Sequence, residues 1–171
     1  IPTHASYWGI PCTPMPNLDG PMIPPMPVIP AEIDGPVLIS ADELSGYLTG
    51  PGPLNPYGDF KKVKPAAIIQ GGVLIFDGHF SVPRLSALTR RVMITPLLAS
   101  DPEAAVKEAN EIVALDPQNA DSWTTLGKAL KADNQNRQAR EAFEHAIELA
   151  QTVEPEFQQE KIPSIRKMMG E

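Results

Sequence analysis

The chain has 171 residues, 42% of them apolar, which suits one domain or two small ones and is too much for wholesale disorder. Its formal net charge is −7, and its 14 lysines and arginines are scattered among 21 acids, a balance that argues against a nucleic-acid surface. One cysteine, Cys12, excludes an internal disulfide framework and a Cys-x-x-Cys metal site. No stretch reaches the ~20 apolar residues of a membrane-spanning helix. The longest, residues 66–76, is broken by Gln70-Gly71-Gly72. The chain begins at Ile1 and carries no signal peptide, so it reads as a processed product or an excised piece of something longer.

Proline divides the sequence. Fourteen of the 20 prolines precede residue 66, and ten of those fall between Pro2 and Pro36. Proline has no amide donor and a fixed φ, so residues 1–34 read as an extended proline-rich arm rather than helix or central strand. Tyr7, Trp8, Ile10, Met15, Met22, Ile23, Met26, Val28 and Ile29 are more large apolar groups than a free linker carries. The arm is therefore expected to lie on a surface, of this chain or of a neighbouring copy.

Residues 35–82 read as a small α/β segment. Val37-Leu38-Ile39 is a buried-type strand, Ser40 a helix N-cap followed by Asp42 and Glu43, and Gly46 a stop. A long loop runs through Gly50-Pro51-Gly52-Pro53 to Tyr57. Ala67-Ile68-Ile69 and Val73-Leu74-Ile75-Phe76 flank Gly71-Gly72 as a tight hairpin or as one strand with a bulge, and Asp77-Gly78 signals a further turn.

Residues 83–171 read as helical. Pro83 opens a helix with Leu85, Leu88, Val92 and Met93 at helical spacing, ending near Pro96. Asp101-Pro102-Glu103 starts another, lined by Ala105, Ala109, Ile112 and Val113 and stopped by Asp116-Pro117. Two more are expected at Ala120–Ala132 and Arg137–Thr152, and a last one from about Pro155 with Phe157, Ile162 and Ile165 inward. The fold class is thus α+β: an extended arm and a small α/β segment, then an all-α part.

Within residues 120–153, Trp123, Leu126 and Gly127 fall on one helix and Ala139, Phe143 and Ala146 on the next, at the spacing of a helical-hairpin repeat. Small residues at Gly127 and Ala139 suit a close helix contact, with Trp123, Leu126 and Phe143 filling the space between. Ala105 lies 34 residues before Ala139, the period of that repeat. The region resembles a tetratricopeptide repeat, preceded by a degenerate copy and followed by a capping helix. The resemblance implies a protein-binding groove lined by Asp121, Thr124, Lys128 and Lys131, a mixed, weakly basic set suited to an acidic or C-terminal peptide.

Residues 5–90 carry a second resemblance, through Tyr7–Pro11, Gly35–Ala41, Gly50–Tyr57 and Val73–Phe80. They are similar to the extracytoplasmic C-terminal region of bacterial membrane glycosyltransferases of the dolichyl-phosphate-mannose type, some of which end in tetratricopeptide repeats. That resemblance implies a non-catalytic, extracytoplasmic tail of a membrane-anchored precursor, with the catalytic loop upstream. The residues themselves show no catalytic set and no cofactor or metal site. His4, His79 and His145 are not at metal-ligand spacing, Cys12 has no basic neighbour, and the Lys61, Lys62 and Lys64 cluster reads as a solvated loop. His79 has one candidate partner in Asp77, without a nucleophile. The expected role is protein interaction or scaffolding. The alternative is a self-assembling subunit, a homo-oligomer or filament joined through residues 1–34.

Overall fold

A computed structural model describes residues 13–16, 26–47, 49, 54–69, 71–152 and 160–170. The architecture is mixed α and β. Strand β1 (Glu32–Asp34) is followed by β2 (Val37–Ser40), helix α1 (Ala41–Ser45), a 3-10 helix (Gly58–Lys62), β3 (Ala67–Ile69), β4 (Val73–Phe76) and β5 (His79–Ser81). The helices α2 (Pro83–Met93), α3 (Leu97–Ser100), α4 (Pro102–Leu115), α5 (Ala120–Ala132), α6 (Asn136–Thr152) and α7 (Lys161–Met169) complete the chain.

Glycine decides the first turns. Gly71 and Gly72 both hold positive φ, at 98° and 84°, a conformation that side chains rarely adopt. β3 and β4 therefore form an antiparallel hairpin, and β4 pairs on its other side with β2 to give the order β2-β4-β3. Val37 and Ile39 point into the core with Phe76, while Leu38, Ile68 and Ile69 stay exposed. Ser40 caps α1 by accepting from the Glu43 amide at 3.2 Å, and Gly46 ends it in the left-handed region. At Gly35 a Cβ would fall 2.9 Å from the Phe76 carbonyl oxygen, so the chain passes too close to β4 for any larger residue.

Three features have no counterpart in the hydrophobic pattern. β1 pairs antiparallel with β5, setting Glu32 against Ser81, Ile33 against Phe80 and Asp34 against His79. The 3-10 helix lies where the sequence reads as loop, and it delivers Phe60 against Phe76 and Phe80, with ring centres 5.0 and 5.1 Å away. The short helix α3 follows Pro96. The described part of the arm lies against its own chain. The Tyr57 hydroxyl donates to the Pro16 carbonyl at 2.8 Å, and the Ile29 amide donates to Thr89 Oγ1 at 3.1 Å. Burial first, then the Glu43 carboxylate, raises the Tyr57 phenol pKa, so the phenol stays protonated and can donate. Tyr7, Trp8, Ile10, Met22 and Ile23 lie outside the described residues.

Helix α2 joins two cores. Leu85 packs with Ile29, Ile39, Tyr57, Phe60 and Phe76 in the β part, and Ala87 and Ile94 pack with the helices. Asp101 caps α4 with Pro102 at its first position, and Ala105, Ala109 and Ile112 are its buried stripe. Asn119 caps α5, and Asn134 turns the chain toward α6 at a φ of 61°. The last described helix starts at Lys161 with Ile165 buried, so the expected start near Pro155, with Phe157, falls outside the described residues. Among the described residues no helix is long and apolar enough to cross a membrane.

Candidate functional site

The α5–α6 hairpin is built on one close contact. A Cβ at Gly127 would meet ring carbons of Phe143 at 2.6 to 2.9 Å, so the ring lies flush against bare backbone. Leu126, Ala139 and Ala146 are buried around it in the core that also holds Ala105, Ala109 and Ile112 of α4. Trp123 is partly buried and packs against this core from the α5 side. Its indole N–H donates to the Pro117 carbonyl at 2.9 Å, and its ring meets the His145 ring edge-on at 4.3 Å. It thus ties the α4–α5 turn to α6, with His145 packed on it.

The four candidate groove residues do not form one open lining. Thr124 is 8% exposed and spends its hydroxyl on the Ala120 carbonyl at 2.8 Å. The Asp121 Oδ2 takes the Lys161 ammonium at 2.8 Å and lies 4.0 Å from the Arg91 guanidinium. Lys131 donates to the Met168 carbonyl near the end of α7. Lys128 is exposed. Contacts at both ends, Asp121 with Lys161 and Lys131 with Met168, show that α7 runs parallel to α5.

A row of charges follows from this packing: Arg91 on α2, Asp121 on α5 and Lys161 on α7. Burial raises the Asp121 pKa, but Arg91, Lys161 and Lys128 together outweigh it and hold the carboxyl below its ordinary value. Nearby, Asp116 is 4% exposed and accepts from Asn119 Nδ2 at 2.9 Å. Its pKa is raised, because burial exceeds the help it receives from Arg91, Asn119 and Arg84. Arg91 is thus the shared cation of two carboxylates. No local pattern points to it, since its partners lie 25 and 30 residues further on.

The chemistry of the β part centres on His79, and its partner is not Asp77. The ring's Nδ1 lies 3.0 Å from Asp34 Oδ1 and its Nε2 lies 3.2 Å from Glu32 Oε2. Ser81 Oγ donates to Glu32 Oε1 at 2.8 Å, so this hydroxyl is turned to a carboxylate and not to the imidazole. A shallow cleft of about 160 Å³ lies beside the ring, lined by Asp59, Phe60, Val63, Phe80, Ser81 and Val82. Among the described residues no group of three or more histidine, cysteine, aspartate or glutamate side chains is arranged to hold a metal. Cys12 and His4 lie outside the described residues. Comparison with protein-family models, with curated proteins and with solved structures returns no match.

Proposed function

We propose that this chain is a non-catalytic protein-interaction or scaffolding module whose helical part is a short tetratricopeptide-type array. The helices α2 and α4 form the degenerate first repeat, α5 and α6 the second, and α7 the cap. One observation carries the reading. Bare backbone at Gly127 receives the Phe143 ring inside a hairpin whose first helix is paralleled by α7. The face of α5 around exposed Lys128, bounded by the Arg91–Asp121–Lys161 row, is the docking surface, and it suits an acidic peptide. The setting is extracytoplasmic, as the tail of a glycosyltransferase-like membrane protein, on the strength of the resemblance over residues 5–90.

The test is capture of partners from the chain's own source by the wild type and by a Lys128→Glu/Lys131→Glu variant. Loss of a captured partner on charge reversal, with unchanged circular dichroism, is the expected result. Identical capture removes α5 as the docking face.

The second reading is self-assembly through the arm. It is favoured by the arm's apolar content and opposed by the cis contacts of Pro16 and Ile29. Sedimentation separates the two: a monomer at all concentrations leaves the first reading, and growth with concentration that is lost on deleting residues 1–12 supports the second.

A further inference from the structure

The β1–β5 ladder is where the arm joins the body, and an ionic cluster closes it. The register places Asp34 directly opposite His79 and Glu32 opposite Ser81. Each nitrogen of the His79 ring therefore faces a carboxylate, at 3.0 Å for Asp34 and 3.2 Å for Glu32. A doubly protonated imidazole donates to both. A neutral ring carries one N–H and turns its other lone pair toward an anion. The structure thus gains both its hydrogen bond to Asp34 and its ion pair with Glu32 only when the ring is charged.

We propose that His79 is a pH-sensitive clasp that fastens β1, and with it the proline-rich arm, to the body of the protein. The other ionisable groups around it are accounted for. Ser81 is tied to Glu32, Asp77 lies two residues back on the approach to β5, and Asp59 of the 3-10 helix lines the adjoining cleft. Asp59 is itself held by Arg84 at 2.6 Å and by Lys62 at 3.9 Å. On either side of the clasp are bonds that do not titrate: the Val82 amide donates to Ala31 at 2.6 Å and the Gly35 amide to Gly78 at 2.7 Å. With the clasp open, these bonds, the rest of the β1–β5 ladder and the Ile29 contacts hold this end of the arm.

The direction of the pH dependence follows. The hydrogen bond to Asp34 raises the His79 pKa above its ordinary 6.5; burial opposes it, and the charges of Asp34 and Glu32 add to it. A group bound more tightly in its protonated form stabilises fully below its unfolded pKa and loses that contribution as pH rises through the folded value. The clasp is fully closed below about pH 6.5, the ordinary imidazole value, and loosens as pH rises through the higher folded value.

Proton NMR of the full chain tests this, with hydrogen exchange read at the Gly35 and Val82 amides after correction for intrinsic rates. The expected result is a His79 midpoint above 6.5 and a fall in protection of roughly two- to fivefold across that midpoint, the scale of an exposed ion pair. His79→Gln is expected to remove the step and to hold protection at its loosened level at every pH. Glu32→Gln is expected to lower the midpoint while leaving the fold intact. A midpoint at or below 6.5, or the same step in the His79→Gln variant, overturns the clasp.

Discussion

At Gly127 and Phe143 the fold is set by what is missing from a side chain. A methyl group at position 127 would lie 2.6 Å from a ring that is itself fully packed, so the ring cannot swing clear. Alanine is otherwise the better helix residue by ~1 kcal/mol. Gly127→Ala is nevertheless expected to lower unfolding stability by about 1–2 kcal/mol, because overpacking a core costs more than the propensity returns. A urea titration measures this, and a stabilised variant would show that the ring moves freely. Tyr57 offers a second residue-scale test. Tyr57→Phe removes the donor to the Pro16 carbonyl and leaves that buried acceptor unpaired, for an expected loss of about 1–3 kcal/mol. Asp121 is linked to pH in the opposite sense from His79. Its lowered pKa makes a contribution that is present above its ordinary value and lost as pH falls through the folded value. Asp121→Asn is therefore expected to flatten the acid limb of stability below about pH 4. Because the carboxylate is partly exposed, the cost near neutrality should stay within about 1 kcal/mol.

The elements differ in how far the sequence announces them. Those with local punctuation are legible: Ser40 before α1, Asp101-Pro102 before α4, Gly71-Gly72 between β3 and β4, and the heavy helical periodicity of α5 and α6. Strands β1 and β5 are not. Glu-Ile-Asp and His-Phe-Ser are three-residue segments, and what makes them strands is pairing across more than 40 residues of chain. The same holds for the site. Residues packed within the α5–α6 hairpin lie close together in sequence, whereas Arg91 and Lys161 reach Asp121 only after α2, α5 and α7 have assembled. Thr124 fails as a groove residue for a related reason: burial of its side chain depends on the neighbouring helices, not on its position along α5. Helix α7 depends most on tertiary contact. It has nine residues, too few to be stable alone, and one fully buried side chain, Ile165. Ile165→Ala is expected to cost about 2–5 kcal/mol of the local stability of α7. Hydrogen exchange should then show α7 amides deprotected while those of α4 hold. Uniform deprotection would mean that α7 is not a separable cap.

At the scale of the whole molecule, α2 makes the β part and the helices interdependent. Its Leu85 belongs to one core, its Ala87 and Ile94 to the other, its Thr89 anchors the arm, and its Arg91 begins the charge row. This shared helix is the physical means by which each part lends stability to the other. Most of α5 is buried between its neighbours, and Lys128 and Lys131 stand on the part of it that stays exposed. The most direct measurement is NMR shift mapping on the full chain, titrated with whichever partner the wild type captures and the Lys128→Glu/Lys131→Glu variant does not. Perturbations centred on α5 around Lys128, spreading to Arg91 and Lys161, are the expected result. Perturbations confined to β3, β4 or the arm, with α5 unmoved, would contradict it.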